Sequence, residues 1–361
     1  MIIHVISGGE TGGSKNHVIS LLANFPTHSA ELILFQEGPF ARQAREAGII
    51  VHVIKQKNRY DLSILQQLKK LITRNEVSVV HSHGARANLF ISFIRQKKFK
   101  WFTTIHSDPS LDFIGRGLKG TIFTTINKRV INQIDHFFVV SERFKHLMMK
   151  QNISEHKITV VYNGIDFEPK SFTAISRSEL GLSETSFVIS MVARLHPIKN
   201  YPLAFEVVRE LQLEGHNVEL LAIGDGPLSD ELATLAKNYN GIHMLGFRED
   251  IPALLNCSDS LLLVSSSESF PLVLLEAAKA KIPVLTTDVG GVRDLVVSPK
   301  MGAVVSINDK DALVAEMKRF ILAKKEGKIK EMGEILHEHA KSNFSITQLV
   351  DATLLTYSQV N

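Results

Sequence analysis

Cysteine is nearly missing from this sequence: Cys257 is the one thiol among 361 residues, so no disulfide can form within the chain. Stability without disulfides fits a reducing compartment. Long apolar runs are missing too, since none approaches the roughly 18–20 residues that a bilayer-spanning helix needs. "MIIHVIS" enters a strand pattern at once, with no basic stretch and no cleavage site ahead of it. A secretion leader is therefore not expected, and the expected location is the cytosol or the inner face of a membrane. Two phosphate-binding fingerprints are also absent. "SGGETGGSKNHV" holds no G-x-G-x-x-G, and Gly8-x4-Gly13 is followed by Ser-Lys, the reverse of the P-loop order. No short repeat is visible. His81 and His83 in "VVHSHG" share a strand face, but no third ligand stands at a recognisable spacing, so neither a metal nor a cofactor is expected.

What is present points to two domains. A chain of 361 residues is long for one core, and 44% apolar with 22% charged residues suits a soluble globular protein. The net charge of +4 conceals an asymmetry. Residues 1–170 carry 23 Lys+Arg against 13 Asp+Glu, or +10, and residues 171–361 carry 18 against 24, or −6. Such a split arises by chance, or it marks a first half that faces an anionic lipid surface or polymer. Nucleic acid is not an expected partner. "GRGLKGTIFTTINKRV" sets Arg116, Lys119, Lys128 and Arg129 among apolar residues. It reads equally as a segment that dips into an anionic interface and as an ordinary amphipathic helix.

Short apolar runs alternate with amphipathic stretches throughout. "IIHVIS", "ELILF", "IIVHVI", "VSVVHSH", "KWFTTIH", "HFFVVS" and "KITVVYNG" read as strands, followed by "FVISMVARL", "VELLAIGDG", "IHMLGF", "SLLLVSS", "PVLTTD" and "GAVVS". "SILQQLKKLITR", "YPLAFEVVRELQLEG" and "DALVAEMKRFILAKKEG" carry a helical period. This alternation predicts α/β architecture, two doubly wound parallel sheets with helices on both faces. The polar stretch 163–186 is the expected boundary between domains 1–170 and 171–342. Ligands are expected between such domains, at loops that follow strand C-termini.

Several of those loops carry suggestive residues. Gly8, Gly9, Gly12 and Gly13 precede a helix expected to start near Ser14, which suits a plain turn or a close backbone approach to phosphate. His106 in "FTTIHSDPS" ends a strand and opens a loop. Arg194 and Lys199 in "VARLHPIKN" are either two solvated charges or a diphosphate clamp. "SSSESFPLVLLEAAKAKIP" places Glu268 in a turn and Glu276 in an apolar run. Eight residues rotate roughly 80° beyond two helical turns, so these glutamates do not share a helix face. Pro271 suits the first helical position and leaves Glu268 in the loop. Free N–H groups near Phe270 to Val273 would then point at the same place as both carboxylates. The plainer reading is a Glu276–Lys279 pair and a helix-capping Glu268.

Taken together, the segments resemble the family 4 glycosyltransferases, retaining enzymes of the GT-B fold. "ESFPLVLLEAAKAKIPVLTTDVGG" resembles the family's E-x7-E motif, "VARLHPIKN" its diphosphate motif and "AIGDGPLSDEL" its nucleotide-side turn. "LGFREDIPALLNCSDSLLLVSSSE", "VSERFKHLMMKQNISEHKITVVYNGID" and the glycine loop follow the family order, so the likeness spans nearly the whole chain. It implies a sugar transfer from a nucleotide-diphosphate donor, taken as a UDP-sugar, to a glycan, glycolipid or cell-surface polymer. Glu276 would hold the donor ribose, and Glu268 the sugar hydroxyls, with Ser269, Phe270, Pro271 and Leu272 supporting sugar and phosphate. Arg194 and Lys199 would neutralise the leaving diphosphate, with Gly224 on the nucleotide side. Gly12 and Gly13 would close over the diphosphate, and His106 would lie near the reacting sugar. Phe247 and Arg248 would flank the base. The resemblance further implies a metal-independent front-face reaction, closure of one domain on the other, and a C-terminal helix, about 343–361, that crosses back to the first domain. A sugar-nucleotide epimerase would convert the donor with no acceptor, and a silent binding subunit would bind it without turnover. Three positions depart from the family pattern. Ser269 replaces a glycine beside the donor sugar, Lys281 replaces a helix C-cap glycine, and Ile346 stands where an aromatic is usual.

Overall fold

The computed structural model describes residues 1–10, 12–58, 61–74, 76–106, 129–169 and 171–360. Arg116, Lys119 and Lys128 of the basic segment lie outside these residues; Arg129 is described and exposed. The chain divides into two units, Met1–Gly164 with Ile346–Asn361, and Ile165–Ser345.

Unit 1 is built on a seven-stranded sheet in the order β3-β2-β1-β4-β5-β6-β7. Its strands are β1 (Ile2–Ile6), β2 (Ala30–Leu34), β3 (Ile50–Val53), β4 (Val79–His83), β5 (Lys100–Ile105), β6 (His136–Val139) and β7 (Ile158–Val160). Every pairing is parallel, so all strand C-termini lie on one edge. One face packs Ile6, Phe102 and Phe138 against Val18 and Leu21 of the helix Gly13–Ala23 and against Leu349, Val350 and Tyr357 of the last helix, Ile346–Val360. The last helix therefore completes the core of unit 1, although its sequence follows unit 2.

Unit 2 holds a six-stranded parallel sheet in the order β10-β9-β8-β11-β12-β13. Its strands are β8 (Phe187–Val192), β9 (Val218–Ile223), β10 (Ile242–Gly246), β11 (Ser260–Leu263), β12 (Val284–Thr287) and β13 (Gly302–Val305). Successive residues of β8 face opposite sides: Phe187, Ile189 and Met191 enter one core, and Val188 enters a second core with Leu221, Ile223 and Leu254. Central strands such as β4, β6, β11 and β12 are buried on both faces and read as nearly continuous runs, whereas the edge strands β3 and β10 are half-buried or exposed and read as strands from their β-branched and apolar content.

The dividing points, 164/165 and 345/346, differ from the expected 170/171 and 342/343. Local bonding explains the shift. The Ile165 amide donates to the Phe344 carbonyl at 3.2 Å, and Lys279 Nζ donates to the carbonyls of Asp166 at 2.6 Å and Glu168 at 2.7 Å. These contacts fasten residues 165–168 into unit 2, and a polarity scan does not register main-chain partners of this kind.

Candidate active site

In unit 2, strand order reverses between β8 and β11, because the chain runs outward from β8 to β9 and β10 before returning to β11. Loops leaving two such neighbours diverge and open a crevice at the strand C-termini. The loop after β8 carries Arg194 and Lys199, and the loop after β11 carries Glu268, so topology brings both motifs to the same crevice. The Ser266 amide donates to the Ile198 carbonyl at 2.8 Å and ties the two loops together.

Lys199 Nζ donates to Glu268 Oε1, and Ser265 Oγ donates to the same oxygen at 2.7 Å. Both side chains of this ion pair are largely buried, 20% exposed for Lys199 and 13% for Glu268. Glu268 does not cap the following helix, whose first residue is Leu272. Pro271, expected at the first helical position, instead occupies the N-cap with ψ 110°. Pro has no N–H to contribute to the helix, and its extended ψ turns the chain in one residue later. Arg194 is exposed and has no ion pair or hydrogen bond among the described residues.

Glu276 sits on the fifth residue of the helix Leu272–Lys279. It is half-buried, and burial raises its carboxyl pKa with no charge or hydrogen bond to offset the effect. The Glu276–Lys279 pair is not formed; Lys279 turns to the carbonyls of Asp166 and Glu168. A half-buried carboxylate without a partner among the described residues is costly to keep. It can accept two hydroxyl donors.

Three glycines shape these loops by steric necessity. Gly224 has φ +143°, and a Cβ there would lie 2.0 Å from the Ala193 carbonyl oxygen. A Cβ at Gly226 would lie 2.3 Å from the Leu195 oxygen. Gly290, at φ +52°, would place a Cβ 2.1 Å from the Ser269 oxygen and 2.7 Å from the Glu268 oxygen. The next amide, Gly291, donates to the Ser269 carbonyl at 2.9 Å. Nothing in the sequence analysis singles out Gly226, Gly290 or Gly291; the signals that mark them are "GDG" directly after β9 and "DVGG" directly after β12. Phe270 is buried and stacks on Phe344, with ring centroids 5.3 Å apart. Phe247 is 70% exposed after β10, and Arg248 pairs with Asp250, its Nε 2.7 Å from Oδ1. Lys281 takes φ +60°, the left-handed geometry that explains why glycine is the easier residue there.

In unit 1, the helix Gly13–Ala23 starts one residue before Ser14, with Gly12 at its N-cap. A Cβ at Gly12 or Gly13 would meet nothing within 4 Å, so open space adjoins this backbone. Gly8, by contrast, has φ +94° and abuts Gln36.

His106 follows β5, half-buried, and Nε2 contacts His83 Nδ1 at 3.0 Å. His83 Nε2 meets His4 Nδ1 at 2.9 Å, and Tyr357 bridges His4 Nε2, at 3.3 Å, and His81 Nδ1. His81 Nε2 meets Thr104 Oγ1 at 2.7 Å. His17 stands edge-on to His106, with centroids 5.0 Å apart, and holds Asn163 Oδ1 at 2.8 Å. His81, His83 and His106 stand out in the sequence at strand ends, whereas His4, His17, Asn163 and Tyr357 come from distant segments and carry no local signal. Burial is the main force holding these rings neutral. It lowers His4 to about 3 and His17 to about 4, and it puts His81, His83 and His106 well below the ordinary histidine range.

His4 supplies the third histidine that was missing beside His81 and His83, with ligand atoms all within 4.8 Å of one another. A tetrahedral zinc site brings its nitrogens to about 3.3 Å separation. Here the His81 and His83 rings stack at 4.5 Å and 13°, and those of His4 and His83 at 5.2 Å and 20°. Near-parallel rings do not aim their lone pairs at one point, and these nitrogens are engaged with one another and with Tyr357 and Thr104. The set is a hydrogen-bonded chain.

Comparison with known proteins identifies the family to which this fold belongs. Residues 11–169 match the model of Glycosyltransferase Family 4, and residues 172–338 match that of Glycosyl transferases group 1. The chain is 26% identical over 321 residues to N-acetyl-alpha-D-glucosaminyl L-malate synthase of Bacillus anthracis, covering 83% of this chain and 80% of that protein. It is 27% identical over 274 residues to the UDP-Gal:alpha-D-GlcNAc-diphosphoundecaprenol alpha-1,3-galactosyltransferase of Escherichia coli, covering 72% and 70%. The crystal structure of Anabaena HepE in complex with UDP superposes with a TM-score of 0.85 at 18% identity, covering 99% of both chains, which is a likeness of fold. Two parallel-sheet, Rossmann-like units and these matches together place the chain in family 4 of the glycosyltransferases, with the GT-B fold.

Proposed function

We propose that this glycosyltransferase moves a sugar from a UDP-sugar to a glycan, glycolipid or cell-surface polymer, with retention at the anomeric carbon and without a bound metal. The observation that carries the reading is the loop cluster at the β8/β11 reversal. It gathers Arg194, the Lys199–Glu268 pair and the unpartnered Glu276 around one helix start. Glu276 accepts hydrogen bonds from the ribose diol. Glu268 takes a sugar hydroxyl, and Lys199 turns to the diphosphate when the pair opens. Arg194, Lys199 and the N–H groups of Ser269, Phe270 and Leu272 stabilise the negative charge that builds as the sugar–phosphate bond breaks. The leaving phosphate takes the acceptor proton on the same face, so neither glutamate acts as a nucleophile. Gly224 lets the turn after β9 close on Ala193 and so shapes the β8 loop beside the nucleotide, and Phe247 and Arg248 flank the base. In unit 1, Gly12 and Gly13 serve the diphosphate and His106 the transferred sugar. UDP is favoured because HepE was crystallised with UDP and with UDP-glucose, and because the E. coli relative is named for UDP-Gal.

The acceptor class follows relatives named for a diphosphoundecaprenol-linked sugar and for capsular polysaccharide synthesis in Staphylococcus aureus. No helix among the described residues is long and apolar enough to cross a membrane. The +10 charge of residues 1–170 supports peripheral contact with an anionic inner leaflet, where a lipid-linked acceptor would be met. A thermal-shift screen of nucleotide sugars should single out a UDP-sugar as stabilising. Transfer with that donor should yield an α-linked product by NMR from an α-configured donor. A β-linked product, or stabilisation by GDP- or ADP-sugars alone, overturns the reading.

A further inference from the structure

The chain from His106 to Thr104 has a direction. Each neutral imidazole carries one N–H and one bare nitrogen, so a ring that accepts at one side must donate at the other. Five contacts link Thr104, His81, Tyr357, His4, His83 and His106 in that order. The Tyr357 hydroxyl is buried, with His81 and His4 as its hydrogen-bond partners among the described residues. Accepting from both would leave its own proton without an acceptor, so it too accepts from one and donates to the other, and donation runs along the whole chain one way or the other. Thr104 decides which. Its side chain is buried, 3% exposed, and His81 Nε2 is its one side-chain hydrogen-bond partner among the described residues. If His81 donated to Thr104, the threonine proton would be left buried without an acceptor, an arrangement that native structures avoid. So Thr104 donates to His81, His81 Nδ1–H to Tyr357, Tyr357 to His4 Nε2, His4 Nδ1–H to His83 Nε2, and His83 Nδ1–H to His106 Nε2. The proton of His106 is then on Nδ1.

We propose that Thr104 and Tyr357 are positioning residues that, through this histidine chain, fix His106 as the Nδ1–H tautomer and so present an uncharged hydrogen-bond donor to an oxygen of the transferred sugar. The last clause rests on the proposed contact of His106 with that sugar; the tautomer itself does not. No net proton moves, because the far end closes on a buried hydroxyl. The last helix is needed for the chain, since Tyr357 bridges rings on β1 and β4 that do not otherwise join His81 to His4. Burial and mutual proximity keep every ring neutral, as the direction argument requires.

The test uses full-length protein labelled with 15N-histidine at pH 7.5, with His106 assigned from the spectrum of His106→Ala. The expected signal is a protonated Nδ1 and a bare Nε2 at His106. Thr104→Val removes the hydroxyl at nearly constant shape and should give the opposite or an averaged tautomer. It should also lower kcat about tenfold with the donor KM within about twofold, and Thr104→Ser should restore both. Tyr357→Phe, which cuts the chain in the middle, should act likewise, and neither variant should lower kcat further in the His106→Ala background. A wild-type His106 protonated on Nε2 overturns the proposal, as does a tautomer unmoved by Thr104→Val. If His106→Ala turns over normally, the sugar contact fails, while the resting-state tautomer still decides the direction of the chain.

Discussion

Acid should unfold unit 1 before unit 2, and the structure sets the pH window. His4 and His17 are buried in unit 1 with folded pKa values of about 3 and about 4, against 6.5 in the unfolded chain. A lowered histidine pKa means that the unfolded state binds more protons below pH 6.5. The stabilisation is complete above that value and is lost as pH falls toward 4. One pKa unit is worth about 1.4 kcal/mol, so these two residues together remove about 3 kcal/mol by pH 5.5 and about 5 kcal/mol by pH 4.5. His81, His83 and His106 are lowered in the same direction and steepen the loss. A typical domain holds about 5–15 kcal/mol in total, so the effect is decisive. Trp101 makes the assay specific. It is the one tryptophan in the chain, fully buried on β5, with Nε1 donating to Ser82 Oγ at 2.7 Å. Its emission therefore reports unit 1 alone. With a urea slope of about 2 kcal/mol/M, the Trp101 midpoint should drop by about 1.5 M between pH 7.5 and 5.5. The later, Trp-silent ellipticity transition of unit 2 should move far less. A Trp101 midpoint unchanged over that range would show that the histidines are not held neutral, and the reasoning would fail.

Other changes separate structure from function. Glu276→Leu removes a half-buried carboxylate that has no partner among the described residues, so the unliganded protein should gain about 1 kcal/mol, or about 2–4 °C in a calorimetric scan. The same variant should weaken UDP binding about 100-fold by titration calorimetry, and a loss of stability would reveal a structural partner instead. Because burial raises the Glu276 pKa, unliganded wild type should recover part of this difference as pH falls through that pKa, and Glu276→Leu should not. Gly290→Ala forces a Cβ against the carbonyls of Ser269 and Glu268; it should cost unit 2 about 2–3 kcal/mol in urea melts and leave the Trp101 transition in place. Lys199→Met strands Glu268 in a largely buried position with Ser265 as its remaining partner and removes a diphosphate cation, so kcat should fall at least about 100-fold and urea melts should show unit 2 losing about 3 kcal/mol.

The sequence by itself determined the elements and their kind. Strands buried on both faces need unbroken apolar runs, and parallel pairing needs a helix between them, so "FVISMV", "VELLAI" and "SLLLV" could be read as a doubly wound sheet without coordinates. The positions of Arg194, Lys199 and Glu268 in loops after such runs, and of Glu276 within the helix that follows, were legible for the same reason. What only tertiary structure decided was partnership. That Lys199 holds Glu268 while Lys279 leaves Glu276 alone depends on strand order and on carbonyls at Asp166 and Glu168, neither of which has a sequence period. The histidine chain is the clearest case. His4 and His83 lie 79 residues apart and Tyr357 a further 274 beyond His83, on a helix whose side chains complete the core of unit 1. Hydrogen bonds between imidazoles are short-ranged and directional, so they exist only once β1, β4, β5 and that helix have packed. Local residue patterns encode which segments pack, and the packed fold then decides which nitrogen holds the proton.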